Sequence, residues 1–244
     1  MGSMQSSVTV SGWLDGTSKR VGVLALLALC VVLAWDATGW DVAASAWLGG
    51  VQGFPLRNNW WLEHVWHDRT RQAMTGLFVL VCLWALWPVG PMRSVDRWDR
   101  WAAAAGMVMG LLAVNWIKRN SLTSCPWDVD LFGGQARYVS HWAWGLVDGG
   151  PGRCFPGGHA SAALAFLAWV PALWRSGPLA ARWGWWLGAL VLLVGAGLGT
   201  VQTLRGAHYV SHTLWTVVVC WWAVWLNGWV WSALARWYRL RCQR

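Results

Sequence analysis

Long apolar runs alternate with short polar ones along this chain. Six apolar stretches stand out, at about 21–37, 73–90, 101–117, 159–175, 183–203 and 213–235. Each approaches the roughly 20 residues that cross a hydrocarbon core at about 1.5 Å per residue. Lipid offers no partner to an unpaired backbone group, so each stretch predicts a helix. The expected fold class is therefore all-α, an integral membrane protein with six transmembrane helices. Trp pairs mark the ends of several stretches, as at Trp60-Trp61 and Trp185-Trp186, where an amphipathic ring suits the headgroup zone.

Composition sharpens this picture. The 244 residues are 57% hydrophobic and only 12% charged, about half the charge of an ordinary soluble domain. Lys and Arg number 19 against 10 Asp and Glu. With six spans both termini share a side, and the short loops of that side carry Lys19, Arg20, Arg93, Arg97, Arg100, Arg175 and Arg182. The positive-inside rule makes that side cytoplasmic. The expected location is a bacterial inner membrane, with both termini cytoplasmic. Residues 1–20 read as a tag remnant (Met1 to Ser3, with Met4 as the native start) and an N-terminal tail. Residues 21–235 form one membrane domain with periplasmic loops at about 38–72 and 118–158, and 236–244 form a basic cytoplasmic tail. The first span lacks a small-residue cleavage site and reads as an anchor. Membrane lipids are the expected surroundings. No soluble basic domain exists to bind nucleic acid.

Polar chemistry gathers at the ends of the apolar stretches that this topology places outside. Lys118-Arg119 is followed by Cys125-Pro126-Trp127-Asp128; Pro156-Gly157-Gly158-His159 opens one span; Arg205-Gly206-Ala207-His208-Tyr209-Val210-Ser211-His212 opens another. In the second cluster two glycines let backbone approach a ligand, a helix start presents N–H groups to an anion, and His159 is placed to act as a general acid. His208 and His212 are four apart and share a helix face. Three roles fit them: zinc ligation, interfacial histidines without function, or a nucleophile with its orienting partner. Arg205 one turn earlier favours an anion over a metal. Lys118 and Arg205, with Arg119 as a weaker member, are the candidate clamp for the charge on phosphoryl oxygens. The segment 54–68 mixes polar and apolar residues at helical spacing and reads as a surface helix. Its His64, His67 and Asp68 read as exposed polar residues. Cys125 and Cys154 lie in one external loop, where a disulfide persists, and pairing them would join the first cluster to the second.

These motifs resemble those of the type 2 phosphatidic acid phosphatases, relatives of bacterial acid phosphatases and vanadium haloperoxidases. That family's pattern is Lys, six residues, Arg-Pro; then Pro-Ser-Gly-His; then Ser-Arg, five residues, His, three residues, Asp. Here Lys118, six residues, Cys125-Pro126 matches except for the arginine, and Pro156-Gly157-Gly158-His159 matches with glycine for serine. His208 and His212 keep the last spacing, but histidine replaces the acid and Gln202 stands at the arginine position six before His208. The resemblance covers about residues 100–235. It implies that His208 forms a phosphohistidine, that His159 protonates the leaving oxygen, and that His212 takes the orienting place. Asp128 or Asp148 would supply the missing negative charge, Gly157 and Gly158 the phosphate cradle, and Arg205 the missing arginine.

The implied activity is hydrolysis of a lipid phosphate or pyrophosphate at the periplasmic ends of the helices, without metal or cofactor. Undecaprenyl pyrophosphate, lipid A phosphate, phosphatidylglycerol phosphate and phosphatidate all fit. A lipid-to-lipid phosphotransferase and a non-catalytic transporter or lipid-binding protein are the alternatives. Loss of activity with a chelator would point to zinc instead.

Overall fold

The computed structural model describes residues 16–242, so the expected tag remnant and most of the N-terminal tail lie outside the described residues. The architecture is helical, with only two isolated β-bridges. Its helices are α1 (Gly16–Thr38), α2 (Trp40–Ala46), α3 (Thr70–Leu86), α4 (Arg97–Asn120), α5 (Gly158–Leu164), α6 (Trp169–Arg175), α7 (Pro178–Leu204) and α8 (Val210–Cys242). Four of them, α1, α4, α7 and α8, are long and apolar enough to cross a membrane. This is a membrane protein. Two of the six expected spans take another form.

The stretch at 73–90 is the 17-residue α3, which continues a π-helical segment, Trp61–Arg69. The stretch at 159–175 is not one helix. It runs as α5, a 3-10 turn at Ala165–Ala168, and α6. Pro171 explains the break, since it has no N–H to give the carbonyl of Leu167 and its ring crowds that carbonyl. The broken helix lies at the centre of the bundle: Ala160, Ala163, Leu164, Ala165, Leu167 and Val170 are all buried. A segment apolar on every side needs such a place.

Small residues bring the other helices close. A Cβ on Gly106 of α4 would lie 3.0 Å from Ala168 and 3.1 Å from Asn227 Nδ2, and one on Gly195 of α7 would lie 2.6 Å from Leu164. Asn227 Nδ2 donates to Ala102 O at 2.7 Å, a polar bond between α8 and α4. At one pole Arg175 at the end of α6 pairs with Asp99 near the start of α4 at 3.1 Å, and Arg100 Nε donates to Ala85 O of α3 at 3.1 Å. Asp96 caps α4 by accepting from Trp98 N at 2.8 Å. The opposite pole carries the end of α4 and the starts of α5 and α8.

The long loop after α4 is mostly irregular. Its only helical pieces among the described residues are short 3-10 turns at Pro126–Asp128 and Asp130–Phe132. Gly133, Gly145, Gly149 and Gly152 take positive φ there, which breaks helical runs. At the other end, α8 continues helically to Cys242, through most of the stretch expected as a tail.

Candidate active site

The three polar clusters meet at one pole. The Pro156-Gly157-Gly158-His159 turn is bound to α8 by its backbone: Gly157 N donates to His212 O at 3.0 Å, and Thr216 Oγ1 donates to Gly157 O at 3.0 Å. A Cβ on Gly157 would sit 3.3 Å from His212 O, so the glycine that replaces the family's serine permits this approach. A Cβ on Gly158 would lie 3.3 Å from Lys118 Cδ and 3.9 Å from its Nζ. Lys118 therefore reaches from the end of α4 across the glycine turn. Arg119 is exposed.

His208 and His212 face each other through Nδ1 atoms 3.3 Å apart. One of the two rings must donate and the other accept, so at most one Nδ1 carries the proton. His208 Nε2 is left free for other chemistry. The disulfide between Cys125 and Cys154 flanks the same ring, with Cys154 Sγ 3.4 Å from His208 Nδ1. Burial, reinforced by the positive charge of Lys118 and by His159, holds the His208 pKa well below the ordinary value of 6.5. His208 is therefore a neutral imidazole with a lone pair available near neutral pH.

His159 is buried at the start of α5. Its Nε2 lies 3.3 Å from Trp66 O, and its ring stacks on His67 with centroids 4.6 Å apart. His67 Nδ1 in turn pairs with Asp68 at 3.0 Å. The segment 54–68 is thus not merely a surface helix. His67 reaches the site from a π-helical segment, Trp61–Arg69.

Arg205 is bound by the same segment. Its Nε donates to Arg57 O at 3.0 Å and its Nη2 lies 3.4 Å from Glu63 Oε1. Trp127 stands between two guanidiniums, with Arg57 Cζ at 4.7 Å and Arg205 Cζ at 6.0 Å from its ring. Gln202 is buried, and its Nε2 has no hydrogen-bond partner.

The acids considered for the orienting role are engaged elsewhere. Asp128 accepts from Trp127 Nε1 at 3.0 Å, and burial raises its pKa above the ordinary carboxylate value. Asp148 accepts from Ser124 N at 2.6 Å, Ser124 Oγ at 2.9 Å and Gly150 N at 2.9 Å, so it organises the irregular loop. Two other acids come close to the histidine pair. Asp41 of α2 accepts from Ser211 N at 3.0 Å and from Ser211 Oγ. Asp36 at the end of α1 accepts from Trp142 Nε1 and Trp215 Nε1 at 2.9 Å each, and meets His141 Nε2 at 3.2 Å. An ionisable residue inside an apolar span is the available signal for Asp36, since such residues rarely lack a purpose. No comparable signal marks His141, a loop histidine outside every motif.

Among the described residues, two groups bring metal-ligating atoms together. Cys125, Cys154 and His208 do so, but the two sulfurs are bonded to each other and cannot be thiolates. In the other, Asp36, Asp41 and His141, Trp, Ser and His donors already occupy three of the four carboxylate oxygens.

A family model described as PAP2 superfamily matches residues 99–239. The chain belongs to the PAP2 superfamily, whose members are phosphatases acting on phosphoric esters. Comparison with curated proteins gives no match, and comparison with solved structures gives none.

Proposed function

We propose that this protein is a membrane lipid phosphatase that works through a phosphohistidine on His208. The observation that carries the proposal is the junction at one pole of the bundle. Lys118 from α4, the glycine turn and His159 from α5, His208 from the bend before α8 and His212 from α8 meet there, although the clusters are far apart in sequence. His208 Nε2 attacks phosphorus while its Nδ1 is held by His212. The N–P bond forms, the bond from phosphorus to the leaving oxygen breaks, and that oxygen takes a proton from His159, whose pKa burial lowers to about 4 and whose cationic form the negative charge of the bound phosphate restores. Water then attacks phosphorus, His159 takes a proton from it, and the N–P bond breaks to release phosphate. Lys118 and Arg205 stabilise negative charge on the equatorial oxygens, and Gly157 and Gly158 bring backbone close to them. Arg119 contributes only to the surrounding field.

Lipid as substrate is supported by the placing of this pole at the ends of apolar helices. A cleft of about 320 Å³ opens next to it, lined by Trp116, Ile117, Leu122, Trp144, Leu146 and Phe155 among others. Phe155 adjoins the glycine turn, so an apolar chain in the cleft leaves its phosphate near His159. With α3 and the broken α5–α6 as the fifth and sixth crossings, both termini lie in the cytoplasm and the site faces the periplasm of an inner membrane. The charge asymmetry of the loops supports this orientation.

The test is phosphate release by the detergent-purified protein from undecaprenyl pyrophosphate, lipid A, phosphatidylglycerol phosphate and phosphatidate. His208→Ala is measured beside it, with vanadate or EDTA added. Release that vanadate blocks, EDTA spares and His208→Ala abolishes is the expected result. Absence of release from every lipid, or full activity in His208→Ala, would overturn the proposal.

A further inference from the structure

The PAP2 pattern has a carboxylate where this chain has His212, and a neutral imidazole is a weaker partner for a nucleophilic histidine than an anion. The surroundings of His212 contain the missing charge at one remove. His212 is fully buried, and its second nitrogen, Nε2, has no hydrogen-bond partner. The rings packed on it are Tyr209 at 5.2 Å, Phe155 at 5.3 Å, His208 at 5.6 Å and His141 at 6.2 Å between centroids. Of these, only His141 leads to a carboxylate. Its Nε2 is 3.2 Å from Asp36 Oδ2, and the two side chains are 9% and 7% exposed. Phe155 stacks flat on His141, with centroids 4.6 Å apart and 7° between planes. Trp142 and Trp215 hold the same carboxylate oxygen from either side.

From this arrangement we infer that Asp36 and His141 are positioning residues for His208, acting through His212. The inference rests on the phosphohistidine reading for its kinetic consequence but not for its tautomers. A carboxylate only accepts, so His141 holds its proton on Nε2, toward Asp36, and presents Nδ1 as a lone pair. The His141 ring packs edge-to-face on His212 without a hydrogen bond to its Nε2, so the Asp36–His141 pair acts by packing and by charge, drawing the His212 proton toward Nε2 and leaving Nδ1 to accept from His208 Nδ1–H. The pair's packing and charge thus set the His212 tautomer, His212 sets that of His208 through the Nδ1 contact, and His208 Nε2 is left with the lone pair that attacks. As attack proceeds, His208 gains positive character beside Lys118, in a buried site. The negative charge of Asp36 offsets it across the low-dielectric interior. Asp41 serves a different purpose: its carboxylate is engaged by Trp35 and Ser211, and it anchors the start of α8.

A purely structural role, with Asp36 only pinning α1 to α8 through two tryptophans, makes different predictions. The experiment measures kcat and KM for lipid phosphate hydrolysis by Asp36→Asn and His141→Phe, each in the native and His212→Asp backgrounds. Histidine tautomers are read in parallel by ¹⁵N NMR of the intact protein. The expected result is an about 30-fold fall in kcat for either substitution, corresponding to about 2 kcal/mol, with KM within about twofold. With His212→Asp in place the same substitutions cost less than about threefold, because the anion now sits beside His208. Asp36→Asn also moves the His212 and His141 protons between ring nitrogens. An undiminished kcat, equal losses in both backgrounds, or unmoved tautomers would overturn the inference. If the native protein releases no phosphate but Asp36→Asn still moves the tautomers, the hydrolase reading fails and the histidine chain stands.

Discussion

Reduction of the Cys125–Cys154 disulfide is the most direct perturbation of the site from outside it. The bridge spans 29 residues of chain, and the chain-entropy relation gives a loop of that size about 3.6 kcal/mol of stabilisation. Melting temperatures of proteins of this size move by about 2 to 4 °C per kcal/mol, so loss of the bridge lowers the melting temperature by roughly 7 to 14 °C. Activity falls as well, because Cys154 Sγ lies 3.4 Å from His208 Nδ1 and helps hold the ring against His212. A tenfold loss of kcat corresponds to about 1.4 kcal/mol of transition-state stabilisation, well within what the freed loop can remove. The assay is a thermal melt and a lipid phosphatase rate on the same detergent sample, with and without dithiothreitol, repeated on Cys125→Ala/Cys154→Ala. The double variant should match the reduced protein and ignore the reductant. Identical melting and kcat in oxidised and reduced protein would refute the reasoning.

Other perturbations read different parts of the molecule. Arg205→Lys removes the Nε bond to Arg57 O and the fork that spans Glu63 and the site; a fall in kcat/KM of about tenfold or more is expected from steady-state kinetics. The depressed pKa of His208 means that the unprotonated nucleophile persists below pH 6.5. Activity controlled by this group is therefore lost only as pH falls further, and an acid limb of kcat/KM at or above 6.5 would contradict that assignment. Gly199→Leu drives a Cβ to 2.4 Å from Thr213; a loss of about 1 to 3 kcal/mol is expected in a denaturation melt, partly restored by Thr213→Ala.

The long helices were legible because their apolar runs are uninterrupted, as in α1 and α7, and membrane helices satisfy their own backbone whatever their neighbours do. The broken central helix was not, although Pro171 stood in view. Hydropathy responds to side-chain polarity and ignores a missing N–H. The histidines and Lys118 were legible through spacing within short motifs. His67 and His141 were not, because their approach to the site depends on a π-helical segment and an irregular loop, whose paths no periodicity encodes; Asp36 stood inside an apolar span, but its partner His141 lies in that loop. The same limit explains Asp128 and Asp148. Each is a plausible charge by position, yet Trp127 and Ser124 claim them through local turns.

The bond between Asp41 and Ser211 joins residues 170 positions apart in the chain, and this has a consequence during synthesis. At about 5 to 20 residues per second, roughly 10 to 30 s separate the emergence of the carboxylate from that of its hydroxyl and amide partners. Over that interval α1 and α2 are made but Ser211 is not. Trp35, whose indole N–H donates to Asp41 at 2.8 Å, is the partner made almost simultaneously. It can shield the acid until α8 is made, so this pole of the bundle closes only after Ser211 has been synthesised.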